Sequence, residues 1–371
     1  MRANSLFKWL DRFFGVPLVW LLGRFKARRQ AQPLKPGSRL LLIKFSAMGD
    51  TLLLLPLIKA ARQQLGPEGR LEMICTPVNQ AVLKNIPWLD ALHVIEPGKM
   101  LKAPWKLLGL LRGLRGQHFD VAIDFDQWLR ITALLSLGSG AKLRVGFGTE
   151  GQSKDALFHL SAPNRKDAHE FFQFRELWAL AGGDDSKVES YDGFLKREGF
   201  LGARELPREA QKLVVLHPGT GGAHGWQREW PIERFTEFSA WLKETMGARV
   251  AVSGAGPYEA ALCAKIPFDD NCVDKGLKNL VEMLCRADLL VCGNTGVMHM
   301  AAGLGTPVLA LHGPNPHIKW GPLSDKARVI LAKTPCSPCL SLGFEFGCPQ
   351  RPCMESIDVE ETENTAKAML A

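Results

Sequence analysis

The sequence predicts an α/β protein with two domains, each built on a doubly wound parallel sheet. Three observations lead to this prediction. Short, continuously apolar runs alternate with segments of helical length, as strands buried on both faces alternate with helices. This alternation stops over residues 182–206 and then begins again. At 371 residues, the chain is also longer than the ~250–300 residues at which single cores stop growing.

The first series of elements begins with an apolar strand at 40–43, after a polar stretch rich in Pro and Gly. A turn leads from it into a helix predicted over 51–65. Pro56 fits this helix only near the first turn, because proline breaks a helix interior. The other predicted elements are a helix at 105–114 and strands at 71–75, 91–95 and 121–124.

The second series repeats the same pattern. Strands are predicted at 213–216, 249–253, 289–292 and 307–311, and helices at 232–246, 277–285 and 297–304. The charged, Gly- and Pro-containing stretch before it has the composition of a linker. We therefore predict a first domain at 39–190, a linker at 191–210 and a second domain at 211–371.

Residues 1–38 form a separate N-terminal segment. Its uncharged stretch at 13–22 is about half the ~20 residues needed to span a bilayer, and basic residues follow it instead of a signal cleavage site. Aromatic and aliphatic side chains beside basic ones favour contact with an anionic membrane surface. The alternative is a segment docked on the protein itself, since Gly15 and Pro17 would interrupt a regular helix.

The formal net charge of +8 and the pI of about 9.0 indicate a surface attracted to anions. Nucleic acid, phosphorylated sugars and an anionic leaflet all fit, and composition does not choose among them. Five of the nine cysteines are scattered in apolar stretches, which suits buried thiols in a reducing compartment. No dinucleotide fingerprint and no phosphate-binding loop motif occurs, which argues against nicotinamide and P-loop chemistry.

In doubly wound sheets, ligands bind beyond the carboxyl ends of the strands. After the strand at 289–292, Asn294, Thr295 and Gly296 lead into the next helix, and His299 follows one turn later. The free N–H groups of a helix N-terminus suit a diphosphate, so Thr295 and Gly296 are candidate donors. The alternative is that Asn294 or Thr295 only caps the helix and His299 is a core histidine.

The loop after the strand at 213–216 is a second candidate for an anionic ligand. It contains His217, Gly219 and Thr220, and Arg228 follows before the next helix. Arg suits phosphate because its planar guanidinium can bind two oxygens at once. Gly254, in the short glycine turn after the third strand, either lets a backbone approach a nucleotide or only makes a tight turn.

Asp50 lies where the first strand meets its helix. A carboxylate facing a cleft there could take a proton from a sugar hydroxyl. From the residue type alone, Asp50 could equally be a helix N-cap.

Residues 39–51, RLLLIKFSAMGDT, resemble the opening of the lipopolysaccharide heptosyltransferases, glycosyltransferase family nine. Further stretches resemble blocks of that family in the same order. They are 119–124, 140–147, 217–219, 293–302, 304–314 and 319–322. The similarity covers about residues 39–358, and the ordered set is far more specific than any single block.

This resemblance implies a GT-B fold: two Rossmann-like domains facing a cleft, the first holding the acceptor and the second the nucleotide sugar. It implies that Asp50 is the general base of an inverting displacement and that no metal is required. Ser46, Met48, Gly49 and Asp124 would lie on the acceptor side. His217, Gly219, Thr220, Arg228, Gly254, Asn294, Thr295, Gly296 and His299 would bind the donor.

Two features depart from the family pattern. Asn294 stands where the family often has Asp, which leaves open whether activity is lowered or lost. The N-terminal extension of about 38 residues is longer than usual.

Four cysteines, Cys336, Cys339, Cys348 and Cys353, form a C-x2-C-x8-C-x4-C pattern. The spacing is close to that of structural zinc sites, although the gap between the pairs is short. A structural zinc ion, a redox pair or disulfide, and reduced thiols packing a loop all remain open.

The expected activity is transfer of a heptose from ADP-heptose to a lipid-linked inner-core acceptor, at the cytoplasmic face of a bacterial inner membrane, with no nucleic-acid partner and no required cofactor. Alternatives are another nucleotide-sugar glycosyltransferase of cell-surface polysaccharide, a nucleotide-sugar epimerase, and a non-catalytic relative that binds lipid A or oligosaccharide.

Overall fold

The computed structural model divides the chain into two units, 1–189 and 190–371. It describes residues 13, 15–23, 29–96, 98–99, 104–207, 209–221, 225–340, 348 and 350–371. Within this part of the chain, no helix is long and apolar enough to cross a bilayer.

The first unit contains a sheet of six parallel strands. They are β1 (Arg39–Ile43), β2 (Arg70–Cys75), β3 (Ala91–Val94), β4 (Val121–Asp124), β5 (Leu143–Gly148) and β6 (Leu160–Pro163). Their order across the sheet is β3-β2-β1-β4-β5-β6. The order reverses between β1 and β4, which is where a doubly wound sheet opens a crevice at its carboxyl edge.

The helices of this unit lie on both faces of the sheet. They are α1 (Val16–Gly23), α2 (Met48–Leu65), α3 (Pro77–Leu83), α4 (Pro104–Gly116), α5 (Arg130–Gly138) and α6 (Glu170–Leu180). Right-handed crossovers in opposite directions place α2 and α3 on one face and α4 and α5 on the other. Helix α6 packs against α2.

Helix α2 differs from its prediction at Pro56. The helix begins at Met48, and Pro56 lies in its buried interior. The expectation that Pro56 lies near the first turn is therefore wrong. Nearly every side chain from Leu52 to Ile58 is fully buried, and this packing offsets the hydrogen bond that proline cannot donate.

The second unit contains another sheet of six parallel strands. They are β7 (Leu213–His217), β8 (Arg249–Val252), β9 (Asp270–Asn271), β10 (Leu289–Gly293), β11 (Val308–His312) and β12 (Ala327–Leu331), in the order β12-β11-β10-β7-β8-β9. The reversal lies between β7 and β10. The predicted doubly wound topology is confirmed in both units.

Eight helices of the second unit fall within the described residues. They are α7 (Phe194–Arg197), α8 (Ile232–Glu244), α9 (Gly256–Cys263), α10 (Gly276–Arg286), α11 (Gly296–Leu304), α12 (His317–Trp320), α13 (Pro352–Glu355) and α14 (Val359–Leu370). Trp230, Phe235 and Phe238 pack with the buried side chains of β7, β8 and α14 to form its core.

The first part of the predicted linker, 191–210, is folded into the second unit. Tyr191 is fully buried, and its hydroxyl donates to the carbonyl of His299 at 2.8 Å. The backbone N–H of Gly193 donates to the carbonyl of Ala302. The boundary between the units thus lies just before the predicted linker, between Glu189 and Ser190.

Candidate active site

Asp50 lies in the first turn of α2, at the carboxyl edge of the first sheet, and its side chain is 12% exposed. One of its carboxylate oxygens, Oδ2, lies 3.0 Å from Nζ of Lys44. Ala47 occupies the N-cap position, so the alternative that Asp50 is the cap is wrong. Asp50 is instead an acidic residue in a first helical turn, paired with a lysine.

Lys44, the residue after β1, is fully buried. Besides Asp50, its ammonium group donates to the carbonyl of Phe125 at 3.2 Å and to Oε1 of Gln127 at 3.0 Å. It also lies 5.3 Å from the ring centre of Phe174. These contacts hold the cation in place beside the carboxylate of Asp50.

Asp124 forms a second buried ion pair, with Lys154 at 3.1 Å. It also accepts hydrogen bonds from the Thr132 hydroxyl at 2.7 Å and the Asp126 backbone N–H at 3.0 Å. Burial raises the pKa of the Asp124 carboxyl, although Lys154 acts in the opposite direction. Asp124 is fully buried, and its assignment to the acceptor side stays a prediction. Its contacts fix the loop that follows β4.

The other acceptor-side residues surround Asp50 along the chain. Ser46 and Met48 are half-buried, and Gly49 is buried. The Ser46 hydroxyl lies 3.5 Å from Oδ2 of Asp126, which connects the loops after β1 and β4. The partly accessible atoms of Asp50, Ser46 and Met48 therefore lie at one edge of this sheet, where the strand order reverses.

His217 ends β7 and is buried. Its Nδ1 donates to the carbonyl of Ser253 at 2.9 Å and also lies 3.0 Å from the Ser253 hydroxyl. Burial lowers the pKa of His217, so the ring is neutral at physiological pH. The histidine thereby connects the loops after β7 and β8 without adding charge.

Glu259 is a residue that the sequence prediction missed. A Cβ atom at Gly219 would lie 2.5 Å from Cδ of Glu259, and one at Gly254 would lie 2.9 Å from its Cβ. The Glu259 carboxylate accepts a hydrogen bond from the backbone N–H of Ala255 at 2.8 Å. Both predicted glycines thus make room for the side chain of Glu259. The sequence signal that could have identified Glu259 was its position four residues after Ala255, in the first turn of α9.

Arg228 connects two loops of the second unit. Its guanidinium donates to the carbonyls of Thr220 at 3.0 Å, Gly221 at 2.9 Å and Asn294 at 3.2 Å. At Gly293, a Cβ atom would lie 2.8 Å from the carbonyl oxygen of Arg228, so this approach requires glycine. Arg228 therefore places a cation where the chain leaves β7 and β10.

The side chain of Asn294 donates from Nδ2 to the carbonyl of Trp320 at 2.8 Å. An aspartate could not make this bond, because an ionised carboxylate only accepts hydrogen bonds. Thr295 occupies the N-cap position of α11, but its side chain makes no capping hydrogen bond. Thr295 is thus the N-cap residue by position, although its side chain does not cap, and Gly296 begins the helix.

His299 lies in the first turn of α11 and is 4% exposed. Thr220, also predicted to bind the donor, is buried, and its hydroxyl donates to the carbonyl of Gly225 at 2.6 Å. Its backbone N–H donates to the carboxylate of Glu229 at 3.3 Å. Burial raises the pKa of Glu229, which also accepts a hydrogen bond from the hydroxyl of Tyr258. Sequence reasoning missed both Glu229 and Tyr258.

The predicted donor residues converge at one edge of the second sheet. They follow β7, β8 and β10, which are neighbours in the order β10-β7-β8. A cation, a neutral buried histidine and the N-terminus of α11 meet there. Such a combination suits the diphosphate of a nucleotide.

The four cysteines of the C-x2-C-x8-C-x4-C pattern differ in exposure, and their possible structural zinc stays a prediction. Cys336 and Cys339 are exposed, Cys348 is half-buried and Cys353 is buried, and burial raises the pKa of Cys353 to about 11. No disulfide joins any of the four, and no three His, Cys, Asp or Glu side chains among the described residues are arranged to hold a metal ion.

The family model of glycosyltransferase family 9 (heptosyltransferase) matches residues 107–348. The chain belongs to this family. It is accordingly a glycosyltransferase, and its two α/β units correspond to those of the GT-B fold.

Individual relatives agree with this membership. The chain is 25% identical over 292 residues to lipopolysaccharide heptosyltransferase 1 of Escherichia coli K12, covering 74% of this chain and 88% of that protein. Among solved structures, a family 9 glycosyltransferase from Veillonella parvula superposes with a TM-score of 0.71 at 18% identity, covering 92% and 99% of the two chains. The E. coli heptosyltransferase WaaC with ADP gives a TM-score of 0.66 at 19% identity, covering 89% and 99%.

Proposed function

We propose that this family 9 enzyme transfers a heptose from ADP-heptose to an inner-core lipopolysaccharide acceptor, with inversion at the anomeric carbon and without a metal ion. The observation that carries the proposal is a partly accessible carboxylate, Asp50, held against the buried cation Lys44. The relatives support the substrates: one is named a lipopolysaccharide heptosyltransferase, and WaaC has been solved with ADP and with ADP-2-deoxy-2-fluoro heptose.

In the proposed reaction, Asp50 accepts the proton of the attacking acceptor hydroxyl. The hydroxyl oxygen forms a bond to the anomeric carbon while the bond from that carbon to the ADP oxygen breaks, and ADP leaves with the electron pair. A single displacement of this kind inverts the anomeric configuration. Lys44 acts as a positioning residue, because its contact fixes the carboxylate that accepts the proton.

The donor is assigned to the carboxyl edge of the second sheet. Arg228 and the backbone N–H groups at the start of α11 would stabilise the charge that develops on the leaving diphosphate. Glu259, in the first turn of α9 after β8, has the chemistry to accept hydrogen bonds from ribose hydroxyls, as acidic residues do in related nucleotide-binding folds. The protein's own cation and amides would thus supply what a metal ion supplies elsewhere.

The acceptor is assigned to the region around Ser46, Met48 and Gly49. Lipopolysaccharide precursors are anchored in a bilayer, so the enzyme must work at a membrane surface. We propose that residues 1–38 contact the cytoplasmic face of the inner membrane, because apolar and basic side chains both favour an anionic interface.

The proposal is tested by incubating the protein with ADP-heptose, with and without a purified core acceptor, and measuring free ADP. We expect ADP release that depends on the acceptor. Conversion of the sugar nucleotide without acceptor would indicate an epimerase, and binding without any turnover would indicate a non-catalytic relative. Thermal shift with a panel of nucleotide sugars would identify a different donor.

A further inference from the structure

Helix α4 carries an apolar surface that takes no part in the proposed chemistry. Its core-facing side consists of Leu107, Leu110, Leu111 and Leu114. At 3.6 residues per turn, Trp105, Leu108 and Arg112 fall together on the opposite side. Trp105 is 66% exposed and Leu108 is 54% exposed. An amphipathic surface helix ordinarily presents polar side chains there, so α4 has more apolar surface than its packing uses.

The charge around α4 has one sign. Between Glu96 and Asp120 the sequence contains no acidic residue and five basic ones: Lys99, Lys102, Lys106, Arg112 and Arg115. Lys106 and Arg112 are exposed and flank the apolar pair. A helix with an outward tryptophan and leucine between cations has the composition of an element that lies in a membrane interface.

Helices α4 and α1 both border α5. At the end of α5, a Cβ atom at Gly138 would meet the side chain of Leu111 of α4, and Arg115 of α4 donates to the Gly138 carbonyl at 3.0 Å. Nearer the start of α5, Val19 of α1 packs against Ala133. Both helices therefore lie on the side of the first sheet that α5 covers.

Helix α1 adds exposed apolar side chains on this side of the first sheet. It has no charged residue, and Leu18 and Leu21 are 43% and 50% exposed. A Cβ atom at Gly23 would lie 2.8 Å from Cβ of Ala156, so α1 is seated closely on this unit. Its exposed leucines are therefore presented from a fixed position.

We propose that α4 and α1 together form a surface that docks this enzyme on an anionic bilayer. Trp105 and Leu108 would enter the boundary between headgroups and acyl chains, while Lys106 and Arg112 would contact lipid phosphates. Helix α4 would thus add a second contact to the membrane contact proposed for residues 1–38. This proposal rests on the proposed function only because that function requires a lipid-anchored acceptor. A bilayer fits this surface better than a second copy of the chain does. In a two-fold symmetric dimer, the basic residues around α4 would face the same basic residues of the other copy and repel them.

The test uses the full chain and sedimentation with vesicles of phosphatidylethanolamine and phosphatidylglycerol. Replacing the apolar pair, Trp105→Gln with Leu108→Gln, is expected to lower the partition coefficient at least about tenfold. Replacing the cations, Lys106→Gln with Arg112→Gln, is expected to lower the partition coefficient on these anionic vesicles about fivefold per charge. The same double variant should bind neutral phosphatidylcholine vesicles as the wild type does. The matched control is Phe172→Gln, a 48% exposed aromatic residue on α6, which packs on the other face of the sheet.

Equal vesicle binding by the wild type and the Trp105/Leu108 double variant would overturn the proposal. So would a wild-type dimer in sedimentation equilibrium that this variant converts to a monomer, because the surface would then belong to a second copy. ADP affinity, measured by calorimetry, depends on the second unit. Failure of the wild type to bind ADP would count against the proposed function. The vesicle experiment would still test the membrane-docking surface independently.

Discussion

The ammonium group of Lys44 lies 3.0 Å from the carboxylate of Asp50 and is itself fully buried. Four protein groups contact this cation: Asp50, the Phe125 carbonyl, the Gln127 amide and the Phe174 ring. A buried cation with these partners has little freedom to move. The position of the candidate base is therefore set by the loop that follows β4 as well as by its own helix.

Lys44→Met removes the cation and keeps an unbranched side chain. The turnover rate is expected to fall about tenfold to hundredfold, because the carboxylate loses the group that orients it. Steady-state kinetics would measure this effect.

The control is Lys59→Met, which removes another lysine paired with a carboxylate in the same unit, that of Glu189. This variant should keep the wild-type turnover rate. A folded Lys44→Met enzyme with turnover within twofold of the wild type would show that Lys44 only supports the fold.

Replacing Arg228 by Gln should weaken ADP binding by about 10- to 100-fold, the usual effect of losing a hydrogen-bonding charge at a phosphate. The ADP affinity of Arg228→Lys should lie between those of the wild type and Arg228→Gln. Lysine keeps the charge but cannot donate to the carbonyls of Thr220, Gly221 and Asn294 from one planar group. Calorimetric titration with ADP measures both. Arg249→Gln, at the start of β8 and paired with Asp270, is the control and should bind ADP normally.

Asn294→Asp restores the residue that the family often has, yet it is expected to be harmful here. The aspartate loses the hydrogen bond to the Trp320 carbonyl and places a negative charge beside the diphosphate site. We expect about tenfold weaker ADP binding and a lower melting temperature. If Asn294→Asp bound ADP more tightly than the wild type, the role assigned to this amide would be wrong.

His312 gives the second unit a predictable dependence on pH. Burial lowers its pKa from 6.5 to about 4. The unfolded chain therefore binds a proton at higher pH than the folded one, so the stabilisation is present above pH 6.5 and is lost as the pH falls toward 4. The loss is about 1.4 kcal/mol per pH unit within this window.

Urea unfolding at pH 7.5 and pH 5, followed by tryptophan fluorescence, would measure this dependence. His312→Asn can keep the hydrogen bond to the Asn315 carbonyl but cannot titrate, so its free energy of unfolding should fall less between the two pH values. Equal changes in the wild type and the variant would exclude His312 as the source.

The elements that the sequence predicted best are the central strands. β1, β4, β7 and β10 are buried on both faces, so each is a continuous apolar run bounded by polar residues. Edge strands were harder to predict: β9 has only the residues Asp270 and Asn271, and its place in the sheet follows from pairing with β8. Pro56 was misplaced because local propensity does not include the packing around α2.

Within the candidate sites, residue types and order single out Asp50, Arg228 and the loop before α11 as candidates, but they do not predict the partners of these residues. The contact between Lys44 and Gln127 joins residues 83 positions apart, and Asn294 meets a carbonyl 26 positions away. The partners of Asp124 could not be predicted either, because Lys154 and Thr132 contact its carboxylate only in the folded chain.

The central claim is that Asp50 accepts the proton of the acceptor hydroxyl, and Asp50→Asn tests it most directly. Asparagine keeps the size of the side chain and an oxygen that can accept from Lys44, but it cannot take the proton. The control, Asp90→Asn, changes another ion-paired aspartate of the same unit, at the start of β3. In single-turnover assays with ADP-heptose and a core acceptor, we predict that Asp50→Asn lowers the rate about 10²–10⁴-fold, while ADP binding persists and Asp90→Asn stays active. A folded Asp50→Asn enzyme that keeps more than about a third of the wild-type rate would contradict the assignment, since this is far above the rate left after loss of a general base.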